Sequence, residues 1–417
     1  MINRMRKATR RAGPRNRRRW PVLTRHLLSL AGTAVLVSAF ATAAPAQATS
    51  SQATSSQSDG QRLEQAVIKL IGEQTGTASG RVEVQRRDAT WVFGVAVQPA
   101  PTVEGAQPQG WIFLGHKAGR DWTVALDTVG GFVDLALQAP ETVFSKPEKE
   151  TFAVRGDFSI QAGNNTELTL PWAVGQSWWW TGGAHGWGGN ERPWSSLDLA
   201  GGDQIVRAAG RGTVYTMCAD SSNGGTPGGW RRVYHPNGYT TDYYHLWFLS
   251  SLSNGQSINA GQSLGQTGVN LCSGGGASGR HVHWSLMTGT RVAWQWREAG
   301  KWVFFEGANP YQGYALHGST RVNVGGQLFN YGALGSNQGV VDAFDSGSVN
   351  KRSGPGTNYP IVGSVADGTT VTISCWRNGT THTGRYGTTS VWDKLTDGTW
   401  VSDAFVYTGV NTIGPNC

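Results

Sequence analysis

The chain has 417 residues, a formal net charge of +8 and a hydrophobic fraction of 38%. A chain of this length exceeds one ordinary domain, so two or three domains are expected. Ten of the 35 basic side chains lie within residues 1–48, which contain no acidic residue, so the remainder carries 25 basic against 27 acidic side chains. That remainder lacks the basic footprint of a nucleic-acid-binding protein, and no nucleic-acid partner is expected.

Residues 1–48 have the three parts of a secretory signal peptide. A basic stretch precedes the apolar run LLSLAGTAVLVSAFATA at 27–43, and Ala46-Gln47-Ala48 gives a small-x-small cleavage pattern. The apolar run is shorter than the roughly 20 residues that span a bilayer, so a retained anchor is disfavoured. Adjacent arginines favour twin-arginine export only weakly, because such pairs are common in so basic a segment. We therefore expect a secreted protein with no membrane contact after signal removal.

The region after the signal begins with a polar, low-complexity segment at 49–60, which predicts a flexible linker. Residues 61–72 space their apolar side chains as a helix does, and short strand-like runs continue from there to residue 155. One helix and then antiparallel strands predict an α+β domain at 61–155, without a catalytic constellation. Its place between the signal and the larger β-rich region favours a pro-region that blocks or chaperones that region, and a permanent accessory domain is the alternative.

The remaining chain is rich in short strand-like segments. Residues 156–320 are dense in glycine and tryptophan, a Gly-rich linker is expected at 321–340, and residues 341–417 show strands with tight turns typical of a small β-barrel. The predicted fold is therefore multidomain and mainly β.

Four cysteines, all in the exported part, indicate disulfides in an oxidising compartment. The number alone leaves three connectivities open, and four free thiols are the less favoured alternative. The cysteines are Cys218, Cys272, Cys375 and Cys417.

Two histidines in the stretch GRHVHWSLM, His281 and His283, are separated by one valine. The flanking residues predict a strand, so both imidazoles point to the same face. His185 and Asp198 lie upstream, thirteen positions apart, and His245 lies between the two sets. A His/Asp/His set has the three protein ligands that a catalytic zinc site requires.

The segments GGAHGW…SSLDL, YYHL and GRHVHWSL, in this order, resemble the zinc metallopeptidases of family M23, in particular the LasA-like or β-lytic branch. The resemblance covers about residues 170–300 and implies an antiparallel β-sheet catalytic domain that binds one Zn²⁺ per chain. It implies that His185, Asp198 and His283 are the metal ligands and that His245 and His281 are catalytic. The family also uses a tyrosine near the scissile carbonyl, for which Tyr311 and Tyr314 are the candidates.

These residue types are consistent with peptide hydrolysis at a zinc site. The sequence has no H-E-x-x-H motif, so no glutamate base is available and histidine has to move the proton. A non-haem iron oxygenase is the competing metal site, since it too uses two histidines and a carboxylate. Its histidine and carboxylate usually lie close together on one strand, and the thirteen-residue spacing favours zinc. We hold the four other histidines of the mature chain to be ordinary polar residues, namely His116, His235, His317 and His382.

A disulfide, a Gly-rich loop and several tryptophans are also expected near the site. A Cys218–Cys272 bridge would join segments that frame it, and the Gly-rich stretch around Cys272 predicts a loop over the groove. Tryptophans are expected either to line the cleft or to pack in the core. They are Trp178, Trp179, Trp180, Trp187 and Trp194.

The stretch SVNKRSGPGTNYPIVGSV resembles the opening of bacterial SH3-like domains, although Lys351 stands where an apolar residue is usual. The resemblance implies a small SH3-like β-barrel that binds cell-wall peptide and that a Cys375–Cys417 bridge could close. An inert stabilising appendage is the alternative.

Together these features predict a secreted, monomeric zinc endopeptidase that acts on Gly-containing cross-bridges of bacterial peptidoglycan. A narrow groove would favour glycine because a side chain would clash. A non-catalytic wall-binding protein is one alternative, and a broader secreted protease of Gly-rich proteins is the other.

Overall fold

The structure is a computed structural model that describes residues 57–128, 130–156, 163–223, 226–344 and 346–417. The predicted signal peptide at 1–48 and residues 49–56 of the predicted linker lie outside the described residues. Within the described residues, no helix combines the length and the apolar character needed to cross a membrane.

Residues 57–156, here called the N-terminal layer, contain one long helix, four antiparallel strands and two shorter helices. The helix starts two residues before the predicted segment, because Ser58 and Gln61 form a capping box, and it ends at Gly76 in a left-handed conformation. The two later helices were not predicted. The elements are α1 (Asp59–Thr75), β1 (Arg81–Asp88), β2 (Trp91–Gln98), β3 (Gln109–Ala118), β4 (Asp121–Leu126), α2 (Phe132–Gln138) and α3 (Lys146–Gly156).

The next part of the chain forms a nine-stranded sheet, here called the central sheet, with the order β11-β8-β9-β10-β13-β6-β5-β19 and β14 beside β13. A two-stranded sheet of β7 and β12 lies at its side. The strands are β5 (Ser177–His185), β6 (Ser196–Ala200), β7 (Ile205–Arg207), β8 (Gly212–Asn223), β9 (Thr226–Tyr234), β10 (Thr240–Leu246), β11 (Gln256–Ile258), β12 (Ser263–Gln266), β13 (Val282–Thr288), β14 (Thr290–Arg291) and β19 (Gln327–Phe329).

Each face of the central sheet is covered. One face packs on a four-stranded sheet through a core that includes Trp180, Trp284 and Phe304. The other face packs on the N-terminal layer, since Phe93 and Ile112 share a core with residues of β8 and β9. The four-stranded sheet consists of β15 (Glu298–Ala299), β16 (Trp302–Glu306), β17 (Gly313–His317) and β18 (Thr320–Asn323). The Gly-rich segment at 321–340 contains β19, which pairs with β5 as part of the central sheet.

The last part of the chain, here called the C-terminal unit, is a seven-stranded sheet with its own apolar core. Its strand order is β22-β21-β25-β24-β23-β20-β26, and its likeness to an SH3 barrel stays a prediction. The elements are β20 (Gln338–Val341), β21 (Ser348–Arg352), β22 (Ile361–Ala366), β23 (Thr370–Gly384), β24 (Gly387–Leu395), β25 (Trp400–Ser402), a 3₁₀ turn (Asp403–Phe405) and β26 (Val406–Tyr407).

Both expected disulfides are present. Cys218 is bonded to Cys272 across 54 residues, and Cys375 is bonded to Cys417 across 42 residues. The described chain has no free cysteine. The first bridge joins β8 to the Gly-rich loop, and the second fixes the end of the chain to β23.

Two acidic side chains, Asp393 and Asp403, meet inside the C-terminal unit. Asp393 is fully buried, and neither of its carboxylate oxygens has a hydrogen-bond partner among the described residues that would hold it ionised. Burial raises the pKa of both carboxyl groups, and the charge of Asp393 raises the pKa of Asp403 further. The pair therefore keeps a proton in the folded state at neutral pH.

We expect the stability of the C-terminal unit to fall as the pH rises. The contribution of the pair is complete below the unfolded carboxyl pKa of about 4, and it is lost as the pH rises through the raised folded pKa values. Urea midpoints measured at about pH 5 and about pH 8 should differ, and Asp403→Asn should reduce the difference, because only Asp393 then titrates with a raised pKa. An equally steep decline in Asp403→Asn would contradict this assignment.

Candidate metal centre

Five side chains predicted from the sequence meet at one end of the central sheet. His283 on β13 stands opposite Asp198 on β6 and opposite Tyr244 on β10. His185 ends β5 and pairs with Ser196, so it reaches the same face next to Asp198. The groups that could hold a metal are His185, Asp198 and His283, and His245, His281 and His283. The four histidines expected to be ordinary lie outside these groups.

Three ligand atoms of the first group form a nearly equilateral triangle. His283 Nδ1 lies 3.1 Å from Asp198 Oδ1 and 3.2 Å from His185 Nε2, and the third side measures 3.5 Å. Ligands bonded to a tetrahedral zinc at about 2.0–2.1 Å are separated by about 3.3 Å. The chain therefore presents three ligand atoms at the spacing that such an ion requires.

Backbone carbonyls fix which ring nitrogen faces the cluster. His185 Nδ1 lies 2.7 Å from the carbonyl of Gly183, His245 Nδ1 lies 2.9 Å from that of Asn270, and His281 Nδ1 lies 2.6 Å from that of Gly279. A carbonyl only accepts, so each Nδ1 carries the proton and each Nε2 keeps its lone pair. These carbonyl partners were not predicted from the sequence.

The surroundings of Asp198 favour its ionised form. Burial alone would raise the pKa of Asp198, but His185 and His281 together with the hydrogen bond from His283 outweigh it and lower that pKa. Burial lowers the pKa of His283 to about 4, and it also lowers the pKa of His245. An ionised carboxylate beside a neutral imidazole is the state in which both groups bind a metal.

His245 and His281 lie next to the triangle, with His281 Nε2 at 3.4 Å from Asp198 Oδ1, and they form the second possible metal group together with His283. Their ring centroids are 4.9 Å apart, and that of His245 is 5.8 Å from His283. His245 has a φ of +66°, at an irregularity where β10 departs from regular pairing with β9. The Nε2 of His245 is buried without a hydrogen-bond partner among the described residues, which leaves it available to another group.

The structure distinguishes the two candidate tyrosines. The ring of Tyr311 stacks on His185 at 4.0 Å, and its backbone N–H donates to the carbonyl of Ala184. Burial, with the charge of Asp198, raises the pKa of Tyr311 to about 12, so its hydroxyl stays protonated. Tyr314 stacks instead on Phe305, within the four-stranded sheet. Of the two candidates, only Tyr311 is thus in contact with a side chain of the cluster.

Only one of the five tryptophans considered for the cleft lies beside the cluster. The ring centroid of Trp187 is 5.1 Å from that of His283. Trp178, Trp180 and Trp194 are buried in the core beneath the sheet, and Trp179 is exposed. Alternation along β5 explains why Trp178 and Trp180 are buried and Trp179 is exposed, because successive side chains point to opposite faces.

A segment of the N-terminal layer lies across the site. Ala106 pairs with Gly188 in an antiparallel bridge, and the N–H of Gln107 donates to the carbonyl of Trp187. Ala100 donates to the carbonyl of Ser273 in the Gly-rich loop, so that loop does border the groove. Residues 100–107 thus run between the two sides of the cleft next to the histidines.

We expect His283→Ala to lose bound metal and His281→Ala to retain it. His283 supplies one corner of the ligand triangle, whereas His281 lies beside it, and a site reduced to two ligands binds far more weakly. Zinc per chain, measured by mass spectrometry after dialysis, tests this, with His116→Ala as the control. Equal zinc loss in the two variants would refute the division of roles.

Comparison with known proteins gives a consistent set of similarities. A sequence profile of peptidase family M23 matches residues 192–294. Protease LasA of Pseudomonas aeruginosa is 32% identical over 169 residues, which are 38% of this chain and 34% of that protein. The beta-lytic metalloendopeptidase of Lysobacter enzymogenes is 32% identical over 133 residues, 29% of this chain and 69% of that protein. Uncharacterized protein YraJ of Bacillus subtilis is 39% identical over 99 residues, 22% of this chain and 84% of that protein.

Proposed function

The chain belongs to peptidase family M23, and on this premise we propose that it is a secreted zinc endopeptidase. The observation that carries the proposal is the triangle of His185 Nε2, Asp198 Oδ1 and His283 Nδ1, whose sides of 3.1–3.5 Å suit one tetrahedral ion. The competing iron site would also use two histidines and a carboxylate, but the two further histidines beside the triangle favour acid–base chemistry.

Zinc bound to these ligands would lower the pKa of a water molecule to about 7 and polarise a peptide carbonyl. The surrounding side chains are suited to transfer the proton and to stabilise the oxyanion. His245 and His281, each with Nδ1 held by a carbonyl, present Nε2 to accept a proton and return it to the leaving amine. The protonated hydroxyl of Tyr311 is suited to donate a hydrogen bond to the oxyanion.

We propose that the substrate is a Gly-containing cross-bridge peptide of bacterial peptidoglycan. The rings of Tyr311 and Trp187 flank the ligand cluster, so bulky side chains next to the scissile bond would meet an aromatic wall. The C-terminal unit, residues 341–417, would act as an SH3-like module that binds cell-wall peptide. A cavity of about 210 Å³ on this unit, lined in part by His382, Trp392 and Phe405, is a suitable place.

We further propose that residues 61–155 are a pro-region that keeps the enzyme latent after export directed by residues 1–48. Support comes from the segment at 100–107, which occupies the cleft by pairing with Gly188 and with the Gly-rich loop. A segment held there would obstruct the approach of a substrate peptide to the histidines. A permanent accessory domain in the same position would make the chain inactive at all times.

We expect chelator-sensitive cleavage of pentaglycine and of peptidoglycan by the activated chain. For activation, a site-specific protease sequence is placed between α3 and Asn164, the full chain is cut after it has folded, and the N-terminal layer is then separated from the rest by chromatography; the product is called the cut chain. Products are identified by mass spectrometry with and without a zinc chelator, and His245→Ala serves as an inactive control. Cleavage of Gly-rich proteins alone would favour the broader protease. Wall binding without new peptide ends, in a sample that holds zinc, would favour the non-catalytic protein.

The uncut chain should be at least about tenfold slower than the cut chain, because residues 100–107 cover the cleft. The comparison uses one preparation before and after cutting, with pentaglycine hydrolysis as the readout. A chain cut in the same way but carrying His245→Ala controls for activity of the added protease. Equal rates before and after cutting would contradict the proposed latency.

A further inference from the structure

Four side-chain donors of the central sheet and its adjoining loop point into the N-terminal layer, and each meets an acceptor there. The face beside the metal centre is therefore rich in donors, and its natural complement is rich in carbonyl and carboxylate oxygens. The pairs are Trp187 Nε1 with the carbonyl of Pro108, Arg232 Nη1 with the carbonyl of Gly110, the Tyr234 hydroxyl with Asp127, and the Tyr215 hydroxyl with Glu148.

The two carboxylates differ in where their counter-charge comes from. Glu148 is fully buried and is bound by Arg86 of its own layer at 2.6 and 2.7 Å, so that pair leaves with the N-terminal layer. Asp127 instead lies 3.8 Å from Arg232 of the central sheet. It accepts a hydrogen bond from Tyr234, also of the central sheet. The N-terminal layer thus places one negative charge against a cation of the catalytic part.

Arg232, the cation that faces Asp127, shares its carboxylate partner in the central sheet with a second arginine. Arg232 binds the fully buried Asp242 through Nε at 2.7 Å and Nη2 at 3.0 Å, and Arg291 binds the same carboxylate at 2.7 Å. Two guanidinium groups therefore share one carboxylate. Loss of Asp127 leaves an excess positive charge that another carboxylate can neutralise.

This excess charge lies on the same face of the central sheet as the metal centre. Arg232 stands opposite Asp242 on β10, two residues before Tyr244, which stands opposite His283. Arg291 lies 3.8 Å over the ring of Trp187, the tryptophan beside His283. The separation between His283 and these two arginines corresponds to roughly two to three residues of extended peptide. A cavity of about 370 Å³ between the N-terminal layer and the central sheet is lined in part by Arg232, Arg291 and Trp187.

Building on the proposed peptidase function, we propose that Arg232 and Tyr234 form a subsite for a carboxylate of the substrate. The carboxylate would lie roughly two to three residues from the scissile bond. In the uncut chain Asp127 occupies this subsite and the backbone at Pro108–Gly110 supplies the acceptors that the substrate backbone would supply. The substrate class is thus an acidic peptide with glycine at the cleavage point.

The first test compares glycine peptides that carry Glu or Gln at either end, with the chain cut after folding. We expect a KM roughly tenfold lower for at least one Glu peptide than for its Gln counterpart, because a charge-assisted pair forms. Tyr234→Phe should shrink this preference with kcat little changed. Tyr215→Phe is the matched control, because it loses the same hydroxyl next to the layer's other carboxylate and should keep the preference.

Equal KM values for Glu and Gln peptides that are both cleaved would overturn the subsite and leave the peptidase proposal standing. If neither peptide is cleaved, the peptidase proposal fails, and a second test on the uncut full chain still decides the subsite.

Asp127→Ala removes the resident carboxylate, so added acetate should raise the melting temperature of this variant more than chloride does. Wild type and Asp127→Ala/Tyr234→Phe should lack this gain, and an equal acetate effect in all three proteins would refute the subsite.

Discussion

The register of two antiparallel strand pairs determines how His283, Asp198 and Tyr244 are aligned in the metal centre. β13 pairs with β6 so that His283 meets Asp198, and it pairs with β10 so that His283 meets Tyr244. Side chains alternate along a strand, so a shift of one residue would carry His283 to the opposite face. The register is enforced from that opposite face, where Val282, Trp284 and Leu286 are buried in the core beneath the sheet.

Much of the site follows from patterns that a strand imposes on its sequence. The HxH pair predicts two imidazoles on one face, and the five side chains predicted to act together do meet. The same alternation accounts for the burial of Trp178 and Trp180 and the exposure of Trp179 between them. Short strands of the N-terminal layer were also predictable, because turns separate each run of apolar residues.

The orientation of the histidines could not be predicted, since it depends on backbone carbonyls that any residue type supplies. Gly183, Asn270 and Gly279 act through their carbonyl oxygens, and their identities carry no signal of that role. Tyr311 and Tyr314 are equally plausible by position, and only the packing of Tyr311 on His185 separates them. α2 was missed because seven residues are too few to show a helical period, and α3 was missed because it is largely polar and lacks a clear apolar stripe.

The shared core between the N-terminal layer and the central sheet has a consequence for the lifetime of the processed protein. Phe93 and Phe132 of the layer pack with Trp230 and Tyr234 of the sheet, so one apolar core is built from two parts of the chain. If the layer is removed, as proposed, the sheet loses the layer's share of that core. Its persistence then depends on a slow rate of unfolding, to which the Cys218–Cys272 crosslink contributes, more than on equilibrium stability.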